Sequence, residues 1–298
     1  MGREDAPSSA RKMKEVRAAQ QGDGADERRL GGAGGAARCS SPVLAGHRGN
    51  VTERTEIEWM YKPADFFEAP YRQAGSGFDL SLDVGRAVAT LSVAQDPVSP
   101  DVEERVRMLL ESVCLVRQLQ VHRQFSLEGP RIFQHEADRK NISIRLGGAA
   151  VVMTAGQVDV LVTDSAGTVV RDSRAERVSR DVKALDSLAP KLARSATLRS
   201  LLESYSRAVA DPDDELVHLY EIRDGLLRHY GNEQSVRNAL GISKTEWQRL
   251  GVLANVEPLE EGRHRGKHPA GRRPASAAEL REARELAQRW ITAFAQTI

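Results

Sequence analysis

Residues 262–273 concentrate the side chains best suited to phosphate chemistry. They hold Arg263, Arg265, Lys267, Arg272 and Arg273 with no acid among them, a formal charge of +5 before His264 and His268 are counted. Gly262, Gly266 and Gly271 punctuate the stretch and permit close backbone approach. Arginine brings a permanent charge and a planar fork that can hold two phosphate oxygens. Histidine titrates near neutral pH and can take or give a proton. Cleavage of RNA beside a 2′-hydroxyl needs that acid–base group and charge stabilisation at phosphorus, and no metal. The plain alternative is a solvated connection whose arginines meet carboxylates or helix C-termini.

Within this stretch, Arg263-His264-Arg-Gly-Lys-His268 fits a pattern of Arg, a polar residue, three more residues and then His. His218-Leu-Tyr-Glu221 and Leu226-Leu-Arg-His229 lie upstream on one helix, and a long final helix follows. In this combination, over about residues 190–298, the chain resembles the HEPN superfamily of RNA-cleaving defence and toxin proteins. The resemblance implies a helical bundle and a metal-independent endoribonuclease with a site composed across a symmetric homodimer. Arg263 would bind and polarise the phosphate, His268 would be the acid/base, and His264 would orient them. Arg265, Lys267, Arg272 and Arg273 would contact RNA. Glu221 would complete the site or pair with Arg223 or Arg228. The resemblance also admits a non-catalytic module that binds nucleic acid or protein. Pro269 follows His268 directly, which sets His268 on a loop before the last helix. No cofactor or metal is expected, since His218, His229, His264 and His268 show no HxxxH or HExxH spacing.

A second motif adjoins the first. Residues 235–250 read as a helix-turn-helix, with Ala239 packing between the helices, Gly241 at the turn and Ser243 as cap. Lys244, Gln248 and Arg249 could face a DNA groove, whereas Glu246 opposes phosphate. The same residues make an ordinary corner between helices if Trp247 lies in the core.

The elements that must position these residues are helical. Apolar residues recur at helical spacing from about residue 174 onward, and Ser243–Glu246 and Ser276–Glu279 form two capping boxes. The preceding stretch reads as β structure with one helix. Phe78, Leu80, Leu82 and Val84 alternate with polar residues and predict a hairpin over 77–93. Ser99 and Pro100 open a helix with Val102, Val106, Leu109, Val113 and Val116 on one face. Residues 141–171 read as an antiparallel meander. Residues 58–71 hold five of the fourteen aromatic residues and, with Pro63 and Pro70 interrupting them, read as an edge strand and loop. Residues 1–54 lack apolar periodicity and predict a disordered tail.

The fold expected is therefore α+β: a tail over 1–54, an antiparallel β/α domain over 55–173, and an all-α, HEPN-like bundle over 174–298. The net charge of +1 gives no global signal for a polyanionic partner, and 5% aromatic residues argue against carbohydrate grooves. Cys39 and Cys114 form no CxxC, so a disulfide scaffold is excluded. Residues 1–20 contain no apolar stretch and no run approaches the ~18 apolar residues of a membrane helix, so a cytoplasmic protein without a membrane partner is expected.

Overall fold

The structure is a computed structural model that describes residues 54–95, 97–136, 139–144, 159–163, 168–263 and 271–298. All belong to the compact unit Gly49–Ile298. Residues 1–53 of the expected tail, the middle of the expected meander, and His264, Arg265, Lys267 and His268 lie outside the described residues, while Arg54 already belongs to the first strand.

The chain is α+β. Strands β1 (Arg54–Lys62), β2 (Tyr71–Gly75), β3 (Phe78–Asp83), β4 (Arg86–Leu91), β5 (Ser126–Glu136) and β6 (Arg139–Ile144) form one antiparallel sheet in the order β2-β3-β4-β1-β5-β6. The alternation around residue 80 becomes the β3–β4 hairpin, closed at Asp83↔Arg86 by Val84 and Gly85, the latter at φ 73°. The segment read as an edge strand is instead internal. β1 pairs with both β4 and β5 and buries Ile57, Trp59 and Tyr61. Pro63 lies just past its last residue and Pro70 just before β2, so neither proline removes a ladder donor. The five aromatic side chains go into the core, with the Tyr61, Phe66 and Phe67 rings in edge-to-face contact at 5.3 and 5.4 Å.

Only the two ends of the expected meander are among the described residues. β6 pairs with β5, a strand the sequence conceals behind Gly129-Pro130, and extends the main sheet. β7 (Leu161–Thr163) and β8 (Val169–Asp172) form a separate two-stranded hairpin. The β1–β5 register shifts between Glu58 and Met60, opposite Gly129. A Cβ on Gly129 would stand 2.9 Å from the Glu58 carbonyl oxygen, so this bulge requires glycine.

Helix α1 (Pro100–Val121) follows the sheet, and α2 (Ser173–Leu192), α3 (Ala196–Ala210), α4 (Glu215–Tyr230), α5 (Glu233–Leu240), α6 (Lys244–Asn255) and α7 (Ala277–Gln296) form the helical part. Ser99 takes the N-cap position of α1 without a side-chain cap bond, and Leu110 in place of Leu109 lies on the buried face. Helix α1 packs on β3 and also on α2 and α3, so one apolar core continues from the sheet into the helices, through residue 173. Within the helical part, Trp247 of α6 and Trp290 of α7 stack at 5.0 Å, both buried. No helix among the described residues is long and apolar enough to cross a membrane.

Candidate nucleic-acid interface

The cationic segment begins and ends at one place. Leu259 and Arg273 form an isolated parallel bridge, with Glu260 N–H donating to the Arg273 carbonyl at 3.0 Å and Arg273 N–H to the Pro258 carbonyl at 2.9 Å. The Glu261 carboxylate accepts Ala275 N–H at 3.0 Å. Arg263 N–H donates at 2.8 Å to the Ala254 carbonyl, which lies in the last turn of α6 where helix carbonyls lack partners of their own. The loop therefore leaves and rejoins the bundle through one fixed stem.

Arg263 is held from two sides. Its guanidinium carbon stands 4.5 Å from the Tyr220 ring centroid, and Nη1 donates to Asp224 Oδ2 at 3.2 Å. Tyr220 and Asp224 are four residues apart on α4 and share a face. Beneath them Arg223 lies 5.1 Å from the Tyr220 ring and 4.7 Å from the Trp247 ring, and its Nη1 donates to Tyr220 Oη. The stack Arg263, Tyr220, Arg223, Trp247, Trp290 thus reaches from the loop stem into the core. The Arg223 Nε and Trp247 Nε1 donors within it are buried without a hydrogen-bond partner among the described residues. The Arg263–Asp224 pair is 39% and 45% exposed, so it contributes at most about 1 kcal/mol and a competing anion can displace it.

The other expected residues divide. Arg272 is exposed and, among the described residues, makes one long 3.5 Å contact, to the Glu260 carbonyl. Arg273 is committed: both Nη atoms bond Glu279 at 2.8 and 2.7 Å, which holds that carboxyl far below the usual range, with the Ser276 capping box adding to the effect. Glu221 joins neither Arg263, Arg223 nor Arg228. It accepts from Arg207 of α3 at 2.8 Å, because its position on α4 turns it toward α3, and it stands 3.7 Å from His218 Nδ1. His229 packs edge-on against Tyr230 and Phe294.

Residues 235–250 form the α5–α6 corner of the bundle. Gly241 turns the chain at φ 64° and Ser243–Glu246 is a complete capping box. Trp247 is fully buried, whereas Ala239 is exposed and packs between no helices. Arg249, one of three side chains offered to a groove, is taken bidentately by Glu282 at 2.9 and 2.8 Å.

A polar network that the sequence does not reveal lies where α1, α3, α4 and α7 meet. Glu215 is 1% exposed and accepts two bonds from Arg284, both at 2.6 Å. Gln288 Nε2 donates to the Tyr205 hydroxyl at 2.8 Å and to the Leu119 carbonyl at 2.7 Å. Tyr205 Oη lies 3.0 Å from His122 Nδ1, and His122 Nε2 lies 3.6 Å from Glu215. Since Tyr205 accepts from Gln288, its own proton goes to His122 Nδ1, and the imidazole carries its hydrogen on Nε2, toward Glu215. Burial, reinforced by the Arg284 charge, pushes the His122 pKa down to about 4, so the ring is neutral near pH 7 and the Glu215 contact is a long polar contact, not an ion pair. His122 also ends α1 in the left-handed region, at φ 48°. The available signal was Glu215 and Arg284 standing at core-facing positions of their helices.

Compared with known proteins, the chain matches no family model, no curated protein and no solved structure.

Proposed function

We propose that the protein binds RNA through the cationic loop between Leu259 and Arg273, with the helical part as its mount in a HEPN-like arrangement. The observation that carries this reading is the fixed stem. A +5 segment is delivered from one closed base, and Arg263 is poised on Tyr220 against an acid that a phosphate can replace. Binding by such a segment releases counterions and is steeply salt-dependent. Full-length protein titrated with single-stranded RNA at two salt concentrations tests it. Affinity is expected to fall with salt and to drop on Arg263→Ala. Unchanged affinity in that variant, with the fold intact, would overturn the reading.

The second reading, a metal-independent endoribonuclease in a homodimer, is favoured by the anchoring of Arg263. Its backbone is bonded to α6 and its guanidinium is held by ring and carboxylate, the preorganisation a transition-state clamp needs. His268 would then act as acid/base, with His264 orienting it, one site drawing on both protomers. Cleavage of single-stranded RNA in EDTA, lost on His268→Ala, is the expected result. Binding without cleavage leaves the first reading alone.

A further inference from the structure

A cleft of about 930 Å3 opens between α1, α2 and α7, and no residue of the loop stem lines it. Its apolar lining is aliphatic, from Val116, Leu119 and Val121 of α1 and Ala184 and Leu188 of α2, and no aromatic side chain among the described residues faces it. Most charges at its edge are matched. Arg123 pairs with Asp65 at 2.9 Å, and Arg177 with Glu68 at 2.7 Å and Asp159 at 2.8 Å. Three groups remain open to a ligand. Arg180 is exposed and has no hydrogen-bond partner among the described residues. Arg117, 5% exposed, commits Nε to the Phe66 carbonyl at 2.8 Å and Nη1 to Asp181, leaving Nη2 free of any described partner. Gln288 spends both hydrogens of Nε2 on Leu119 and Tyr205, which fixes the amide and leaves Oε1 as an acceptor.

We propose that this cleft is a binding site for a small aliphatic 2-amino or 2-hydroxy acid. The carboxylate is held by Arg180 and by Nη2 of Arg117, since guanidinium groups favour planar carboxylates. The aliphatic chain lies on Leu119, Val121, Ala184 and Leu188. The amino or hydroxyl donor meets Gln288 Oε1, whose direction is set from behind by the buried Tyr205–His122 contact. The volume falls within the range of small-molecule sites. A nucleotide does not suit the cleft, because nothing in the described lining stacks on a base.

Calorimetric titration of the full chain with L-leucine, 2-hydroxy-4-methylpentanoate, hexanoate and adenosine monophosphate tests the proposal. The first two are expected to bind. Hexanoate, which lacks the donor, should bind about tenfold more weakly, the size of one lost hydrogen bond. Adenosine monophosphate should give no heat. Arg180→Ala should weaken leucine binding by about tenfold or more, as loss of a charge-assisted bond implies, with an unchanged melting temperature. Ala184→Trp, which fills the cleft from an intermediate-exposure position, should abolish binding in a folded protein. Absence of heat with every acid at millimolar concentration, preference for the nucleotide, or wild-type leucine affinity in Arg180→Ala would each overturn it.

Discussion

Two arginine–carboxylate pairs in this protein share their chemistry and differ in everything else. Arg284–Glu215 lies among four helices, doubly bonded, with the carboxylate 1% exposed. Arg263–Asp224 lies at the loop stem, singly bonded and partly open to water. In the interior, the Glu215 carboxylate depends on Arg284, since its desolvation cannot be recovered elsewhere. At the surface, water can replace either partner, so the pair serves as a holding position. The inner pair therefore belongs to the fold, and the outer one is the pair that the proposed RNA binding would use.

The largest expected effect comes from breaking the inner pair. Glu215→Ala takes away the carboxylate that the partly exposed Arg284 bonds twice and should cost about 2–3 kcal/mol in urea unfolding. The His122 imidazole gives the next effect. It takes a proton more readily in the unfolded chain, at its ordinary 6.5, than in the fold, at about 4. The unfolded state thus binds more protons across that window, and stability is complete above pH 6.5 and declines as pH falls toward 4. The decline attributable to this group is on the order of 1–3 kcal/mol. It should be absent in His122→Asn, which tolerates the left-handed backbone. At the outer pair, Asp224→Ala should change stability by less than about 1 kcal/mol yet tighten RNA binding by freeing Arg263, read by parallel unfolding and RNA titration. A loss of stability as large as that of Glu215→Ala would erase the contrast. Least of all, Arg272→Ala should leave unfolding unchanged and lower the salt slope of RNA binding by about 1.

What the sequence disclosed follows the same division. Local signals were readable because their partners lie within a few residues. Both capping boxes form as spaced, and the β3–β4 hairpin follows its alternation. The concentration of cations was equally plain, but Asp224 and Tyr220, which hold Arg263, come from another helix and carry no mark of that role. β1 was misplaced because Pro63 stands one residue outside the strand, a margin finer than pattern reading resolves. Glu215 lies in the first turn of α4, where an acid suits the positive helix end, but packing turns it inward to Arg284. The network of residues 122, 205, 215, 284 and 288 has no short-range signature, since only the docking of four helices brings it together.

The bridge between Leu259 and Arg273 also makes the chain between them modular. Because its two ends are already clamped together, extra residues there would stretch no helix and draw apart no packed face, and closure entropy grows only with the logarithm of length. Such a segment can vary in size and sequence while Trp247 and Trp290 remain stacked beneath it, so one scaffold can carry many tips and adjust what it grips without refolding.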